Sequence, residues 1–296
     1  MDIRNLKGSI VALVTPFQSD GSVDFDKLKE LVNWHIENKT DAILTLGTTG
    51  ESSTMTHEED DAVLRCVVET VGGRIPVIAG TGSNSTQTML EKSLRAQELG
   101  ADGLLIITPY YNKGNAEGIY RHFATVADAV NIPCILYNVP GRTGCAISVE
   151  NVERLSKHPN ICGIKEASGD MSYTMKIAHC IGSDFALWCG NDDITLPLLS
   201  IGGSGVISVW ANIMPRQCHD MVMDYLEGRQ KEAVAAAVKY LDLMNGLFME
   251  VNPIPVKTAL NMMGKGAGAF RLPLCEMSPA HQEQLRGLLE KAGLLA

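Results

Sequence analysis

The chain has 296 residues, 45% of them apolar, and carries a formal charge of -9 with a pI near 5.3. That is long enough for one large domain with a substantial core, and an acidic chain without a basic block excludes a nucleic-acid-binding surface. The opening Met1-Asp2-Ile3-Arg4-Asn5 mixes charges and leads into no long apolar stretch, so no signal peptide is read and a cytoplasmic location is expected.

Short runs rich in Val, Ile and Leu predict strands over residues 9–14, 41–46, 75–79, 102–108, 133–138, 161–165, 185–189 and 205–209. Helix-like segments over 24–38, 56–71, 85–99 and 116–130 separate the first five. Repeats at about 30 residues, with near-continuous apolar strands, fit a closed parallel barrel better than an open sheet. A doubly wound sheet would show a glycine-rich phosphate turn after its first strand, whereas Val14 runs into Thr15-Pro16-Phe17. The uncharged stretch 194–214 is interrupted by Pro197, Gly202, Gly203, Gly205 and Asn212, so it reads as helix, turn and strand and not as a membrane span. Beyond the barrel, helical patterns over 230–250, 256–263 and 280–295 predict a C-terminal appendage. The expected fold is therefore α/β, a (β/α)8 TIM barrel over 1–228 followed by a helical region over 229–296.

None of the eight cysteines, 66, 134, 145, 162, 180, 189, 218 and 275, forms a C-x-x-C, and they read as reduced core residues. The seven histidines form no H-x-x-x-H pair, and no G-x-S-x-G is present. A disulfide framework, zinc chemistry and a serine triad thus have little support, and neither metal nor cofactor is expected.

Barrel active sites lie at the carboxyl ends of the strands, and the informative residues fall there. Lys165 ends the sixth strand. Alternation would put Ile161, Gly163 and Lys165 on one face, with Gly163 leaving open space beside the amine. Loss of water disfavours the ammonium form, so the amine is expected to be neutral near pH 7 and able to attack a carbonyl carbon. A lone lysine at a strand end would more often snorkel to solvent; the neighbouring strand ends weigh against that here. Tyr137, Thr48 and Tyr111 could pass protons along a hydroxyl chain. Thr48-Thr49-Gly50 can offer hydroxyls and N–H groups to a small carboxylate, and Arg142 offers a planar fork to a second one. This set suits imine chemistry on a keto acid, with two acidic substrates joined by carbon–carbon bond formation. Gly202-Gly203-Ser204-Gly205 precedes the eighth strand and is read as a turn on the opposite rim. Gly264-x-Gly266-x-Gly268 fits neither dinucleotide nor Walker spacing and is read as a plain loop.

Gly47-Thr48-Thr49-Gly50-Glu51-Ser52, Thr108-Pro109-Tyr110-Tyr111-Asn112, Tyr137-Asn138-Val139-Pro140-x-Arg142-Thr143-Gly144 and Gly163-Ile164-Lys165-Glu166-Ala167 together resemble the N-acetylneuraminate lyase/dihydrodipicolinate synthase family of class I aldolases, and within it the dihydrodipicolinate synthases. Gly205-Val206-Ile207-Ser208-Val209 and Asn252-Pro253-Ile254-Pro255-Val256-Lys257 extend the resemblance to nearly the whole chain. It implies condensation of pyruvate with L-aspartate 4-semialdehyde in the diaminopimelate route to lysine. Lys165 would form the Schiff base and Tyr137 would donate and accept the proton. Thr48 and Tyr111 would complete the relay, with Tyr111 reaching in from a neighbouring subunit of a homotetramer. Thr49 and the Ile207 backbone would hold pyruvate, and Arg142 the semialdehyde carboxylate.

Sialic acid lyases and 2-keto-3-deoxy sugar acid aldolases share the lysine and tyrosine, and Arg142 sets this chain apart from them. A non-catalytic barrel that binds a keto acid is the reading from a different class. In lysine-inhibited relatives the effector sits near positions matching Ser52, Ser53, His57, Asn84 and Tyr110. Here Asp60 and Thr88 depart from that pattern, and weak or absent lysine inhibition is expected.

Overall fold

The computed structural model describes residues 1–295. Eight parallel strands close into a barrel in chain order: β1 (Gly8–Ala12), β2 (Ala42–Thr45), β3 (Val77–Gly80), β4 (Gly103–Ile107), β5 (Cys134–Asn138), β6 (Ile161–Glu166), β7 (Ala186–Cys189) and β8 (Gly205–Ser208). Every expected strand is present, each trimmed or shifted by a residue or two at its ends. Around them run α1 (Phe25–Glu37), α2 (His57–Val71), α3 (Thr86–Glu98), α4 (Ala116–Ala129), the single turn α5 (Pro140–Thr143), α6 (Val149–Leu155), α7 (Met171–Ile177), α8 (Thr195–Ser200) and α9 (Pro215–Leu226). Then follow α10 (Gln230–Gly246), α11 (Ile254–Met262) and α12 (Pro279–Lys291).

The strands read as unbroken apolar runs because both of their faces are covered. Ile10, Ala12, Leu44, Ile78, Leu105, Ile135, Trp188 and Ile207 fill the barrel interior, while Val11, Ile43, Leu104, Leu136, Ile164 and Leu187 pack outward against the helices. Trp188 donates its indole N–H to Leu6 O at 3.3 Å, which ties the amino-terminal segment to the barrel wall. Asp24, Thr56, Ser85 and Asn115 cap the first four long helices by accepting a backbone N–H, and Thr56 with Glu59 completes a capping box on α2.

β6 departs from simple alternation. Cys134 pairs with Ile161, but Ile135 pairs with Gly163, so Cys162 is an extra residue in a β-bulge. Ile161 consequently packs in the outer layer, while Cys162 lies in the inner one. The expectation that Ile161 shares a face with Lys165 is thereby corrected. The space beside Gly163 is not open either: a Cβ there would meet Ala186 O at 2.4 Å and the Trp188 ring at 2.6 Å. The glycine makes room for the neighbouring strand and its indole.

Gly8 N–H donates to Ser204 O at 3.1 Å, so the 202–205 glycines do turn at the rim opposite Lys165. In the 264–268 loop Asn261 bonds both the N–H and the carbonyl of Gly268, each at 2.9 Å, and the end of the loop pairs with the backbone of Phe17, which docks it on the barrel. The C-terminal helices are not detached: Tyr240, Leu243, Met244, Val256 and Leu260 share one core with the outer layer of the barrel. Among the described residues no helix is long and apolar enough to cross a membrane.

Candidate active site

Lys165 stands at the carboxyl end of β6 and is only 6% exposed. Its cross-strand neighbours are Tyr137 on β5 and Trp188 on β7. The Nζ atom lies 4.4 Å from the centroid of the Tyr137 ring, on the electron-rich face. Gly190, just past β7, packs against the lysine stem: a Cβ at Gly190 would sit 3.1 Å from Lys165 Cε. The stem is thus held from both sides, with the amine left at the floor of a cavity.

The next residue points outward and locks the two strand ends together. Glu166 Oε2 accepts from Asn138 Nδ2 at 2.6 Å and Oε1 accepts from Ser168 N–H at 2.5 Å, while Asn138 Oδ1 accepts from Ile147 N–H at 3.0 Å. Burial pushes the Glu166 carboxyl above its usual range, against the pull of those donors. Fully buried Asp192 accepts from Val209 N–H at 3.1 Å and Trp210 N–H at 2.9 Å, fixing the end of β8; burial raises its carboxyl too.

Thr48 and Thr49 lie in a turn after β2, closed by Gly50 N–H to Gly47 O and Glu51 N–H to Thr48 O, both at 3.1 Å. Thr15 Oγ1 donates to Gly50 O at 2.6 Å and clamps that turn to the loop after β1. Thr49 is buried and Thr48 exposed. Arg142, on α5, donates through Nη2 to Asn252 O at 3.3 Å, and Asn252 Nδ2 donates to Thr49 Oγ1 at 3.0 Å. Asn252 therefore ties the two anion-binding candidates together. Sequence reasoning carried it only as part of a motif, since nothing local marks a residue that reaches a partner about two hundred positions away.

A cavity of about 190 Å³ holds these groups, with Thr48, Thr49, Tyr137, Arg142, Lys165, Gly190 and Asn252 in its walls. A second cavity of about 460 Å³ adjoins it and shares Gly47, Thr48, Leu105, Tyr137 and Arg142. Ser52, Ser53, His57, Asp60, Thr88 and Tyr110 line the larger one, together with Lys92, which the sequence did not single out. Lys92 Nζ lies 2.8 Å from Asp60 Oδ2, and both side chains are largely buried. Burial raises the Asp60 carboxyl while Lys92 draws it down.

Three expected residues are not brought to the cavities. Tyr111, expected to act from a neighbouring subunit, is 92% exposed, with φ +71°, and lines neither cavity of its own chain. Ile207, expected to act through its backbone, has its side chain wholly buried inside the barrel, and Val209, two residues further, is in the cavity wall. Asn84 is absent from the larger cavity's wall, and its carbonyl accepts from Asn112 Nδ2 at 2.9 Å.

Residues 5–292 match the dihydrodipicolinate synthetase family. The 4-hydroxy-tetrahydrodipicolinate synthase 1 of Clostridium acetobutylicum is 51% identical over 98% of both chains. Among solved structures, the chloride-inhibited dihydrodipicolinate synthase from Acinetobacter baumannii, complexed with pyruvate, superposes with a TM-score of 0.95 at 43% identity and covers 98% of this chain and 100% of its own. The enzyme from Cyanidioschyzon merolae with lysine bound gives 0.95 at 41% identity, covering 98% and 99%.

Proposed function

The chain belongs to the dihydrodipicolinate synthetase family, and we propose from that premise that it is a lyase that condenses pyruvate with L-aspartate 4-semialdehyde, with Lys165 as the residue that bonds to pyruvate. The observation that carries the reading is a buried lysine opening into a cavity whose walls also hold Thr49, Tyr137 and Arg142. The amine adds to C2 of pyruvate, and loss of water gives an iminium. That group draws electrons from C3, which gives up a proton and becomes a nucleophilic enamine. The enamine attacks the aldehyde carbon, forming the new carbon–carbon bond as the oxygen takes a proton. The semialdehyde's own amine then displaces the lysine nitrogen at C2, closing the ring and freeing Lys165.

Tyr137 stands beside the lysine on the adjacent strand and is suited to move protons at C3 and at the departing water. Thr49 and the N–H groups of its turn suit the pyruvate carboxylate, and the Arg142 fork suits that of the semialdehyde. The exposed Tyr111 supports an assembly in which a second copy completes the relay, the homotetramer that the resemblance implies. Work on pyruvate and an amino-acid semialdehyde is consistent with a cytoplasmic enzyme.

The larger cavity supports a reading of weak lysine response. A dibasic effector there would meet the Lys92 ammonium, already paired with Asp60, and would find Thr88 where a carboxylate is needed. The whole function is tested by offering pyruvate with either aspartate 4-semialdehyde or N-acetylmannosamine. Turnover with the first and none with the second is expected; the reverse preference would make the chain a sugar-acid lyase.

A further inference from the structure

Glu51 holds a left-handed backbone angle, φ +55°, that Cβ sterics disfavour for an ordinary side chain. Its N–H closes on Thr48 O, so this residue completes the turn presenting Thr48 and Thr49 to the cavity, and its left-handed angle redirects the chain that follows. Its side chain runs beneath the C-terminal region, where Oε1 accepts from Lys257 Nζ of α11 at 2.7 Å. The two side chains are 1% and 0% exposed. Lys257 also donates to Ala269 O at 2.6 Å, and its Nζ lies 4.5 Å from the centroid of the Phe17 ring.

Burying two charges is costly, and a hydrophobic pair of the same volume often stabilises a protein as well or better. Burial indeed lowers the Lys257 amine below its usual range, with Glu51 opposing. Stability alone is therefore a poor reason for the pair, whereas its place directly behind the Thr48–Thr49 turn supplies another. Lys257 points at no cavity that holds Lys165 and touches none of the groups proposed to meet substrate; it reaches them only through Glu51.

We infer that Lys257, through its buried pair with Glu51, is a positioning residue that sets the Thr48–Thr49 turn for the keto-acid carboxylate, so that the C-terminal helices govern the grip on the first substrate. The inference rests on the functional reading given above. It weights the substrates unequally: the pyruvate turn hangs directly on Glu51, while Arg142 meets the Asn252 carbonyl and is reached from that turn only through the Asn252–Thr49 bond.

The test compares the full-length parent with a Glu51→Gln/Lys257→Met double variant, in which no lone buried ion remains to unfold the chain. Pyruvate is titrated in borohydride trapping without second substrate, and both KM values are measured in turnover. In the double variant the half-saturating pyruvate concentration for trapping and the pyruvate KM rise about tenfold or more, while the semialdehyde KM stays within about twofold. Glu51→Asp, which keeps the charge but withdraws it by one methylene, shows the same split more mildly and serves if the double variant does not fold. Parental pyruvate dependence in the folded variant, or KM values that rise alike for both substrates, overturns the inference. A parent that gains no pyruvate adduct overturns the functional reading, and the inference with it.

Discussion

The place of Lys165 in the cavity was legible not from the lysine alone, which at a strand end more often reaches solvent, but from its company with Tyr137, Thr49 and Arg142 at neighbouring strand ends, where barrels carry their chemistry. What stayed hidden at this scale are residues defined by distant partners. Asn252 and Lys92 acquire their roles only from Thr49 and Asp60, on other elements. The bulge at Cys162 was equally invisible, because the alternation of Ile161, Gly163 and Lys165 holds only if no extra residue intervenes. Gly163 now has a stricter explanation than free space. A methyl group there would press on the Ala186 carbonyl, which as backbone in a closed barrel cannot withdraw. Gly163→Ala is expected to lower stability by about 1–3 kcal/mol in urea unfolding. An unchanged midpoint and slope would mean that β6 and β7 separate more easily than the packing implies.

At the scale of elements, all eight strands and the first four long helices could be read from apolar runs and their flanking polar residues. Their ends could not, because an N-cap belongs to the helix in sequence pattern but not in backbone angle: the expected starts at 24, 56 and 85 fall on the caps themselves. The connection between β2 and α2 is the element whose setting was least legible. Lys257 holds it at Glu51, and Arg271 holds it at Thr54 O through a bond of 3.0 Å while gripping Glu59, in the first turn of α2, through two more of 2.6 and 2.8 Å. Hydrogen bonds from Arg271 lower the Glu59 carboxyl from 4.5 to about 2. A depressed folded-state pKa means stability that is complete above about 4.5 and is lost as the pH falls from there through 2. The Glu59 side chain is 31% exposed, so solvent screening leaves about 1 kcal/mol. Glu59→Gln keeps the capping geometry and should unfold about 1 kcal/mol more readily at pH 7, with the difference from the parent closing between pH 4.5 and 2. A gap that persists unchanged to pH 2 would assign the loss to the cap and not to the ion pair.

The whole molecule joins a barrel whose layout the repeat pattern revealed to a helical region whose purpose it did not. Periodicity could mark α10, α11 and α12 as helices, but only the folded chain brings Asn252, Lys257 and Arg271 against the loop after β2. The two adjoining cavities give the molecule a candidate effector chamber that shares a wall with the chemistry. Because Lys92 already neutralises Asp60 there, millimolar lysine is expected to change the initial rate by less than about twofold, the modest effect of adding a charge to a site that offers it no free partner. Strong inhibition by sub-millimolar lysine would show that the ion pair opens for the ligand.

All of this chemistry depends on one covalent bond between Lys165 and C2 of pyruvate. The most direct measurement is reduction with borohydride in the presence of pyruvate, followed by mass analysis of the intact chain and of its peptides. A gain of one reduced pyruvate per chain, mapped to Lys165 and lost in Lys165→Ala, is the expected result. An adduct on another lysine, or an unaltered mass, would contradict it.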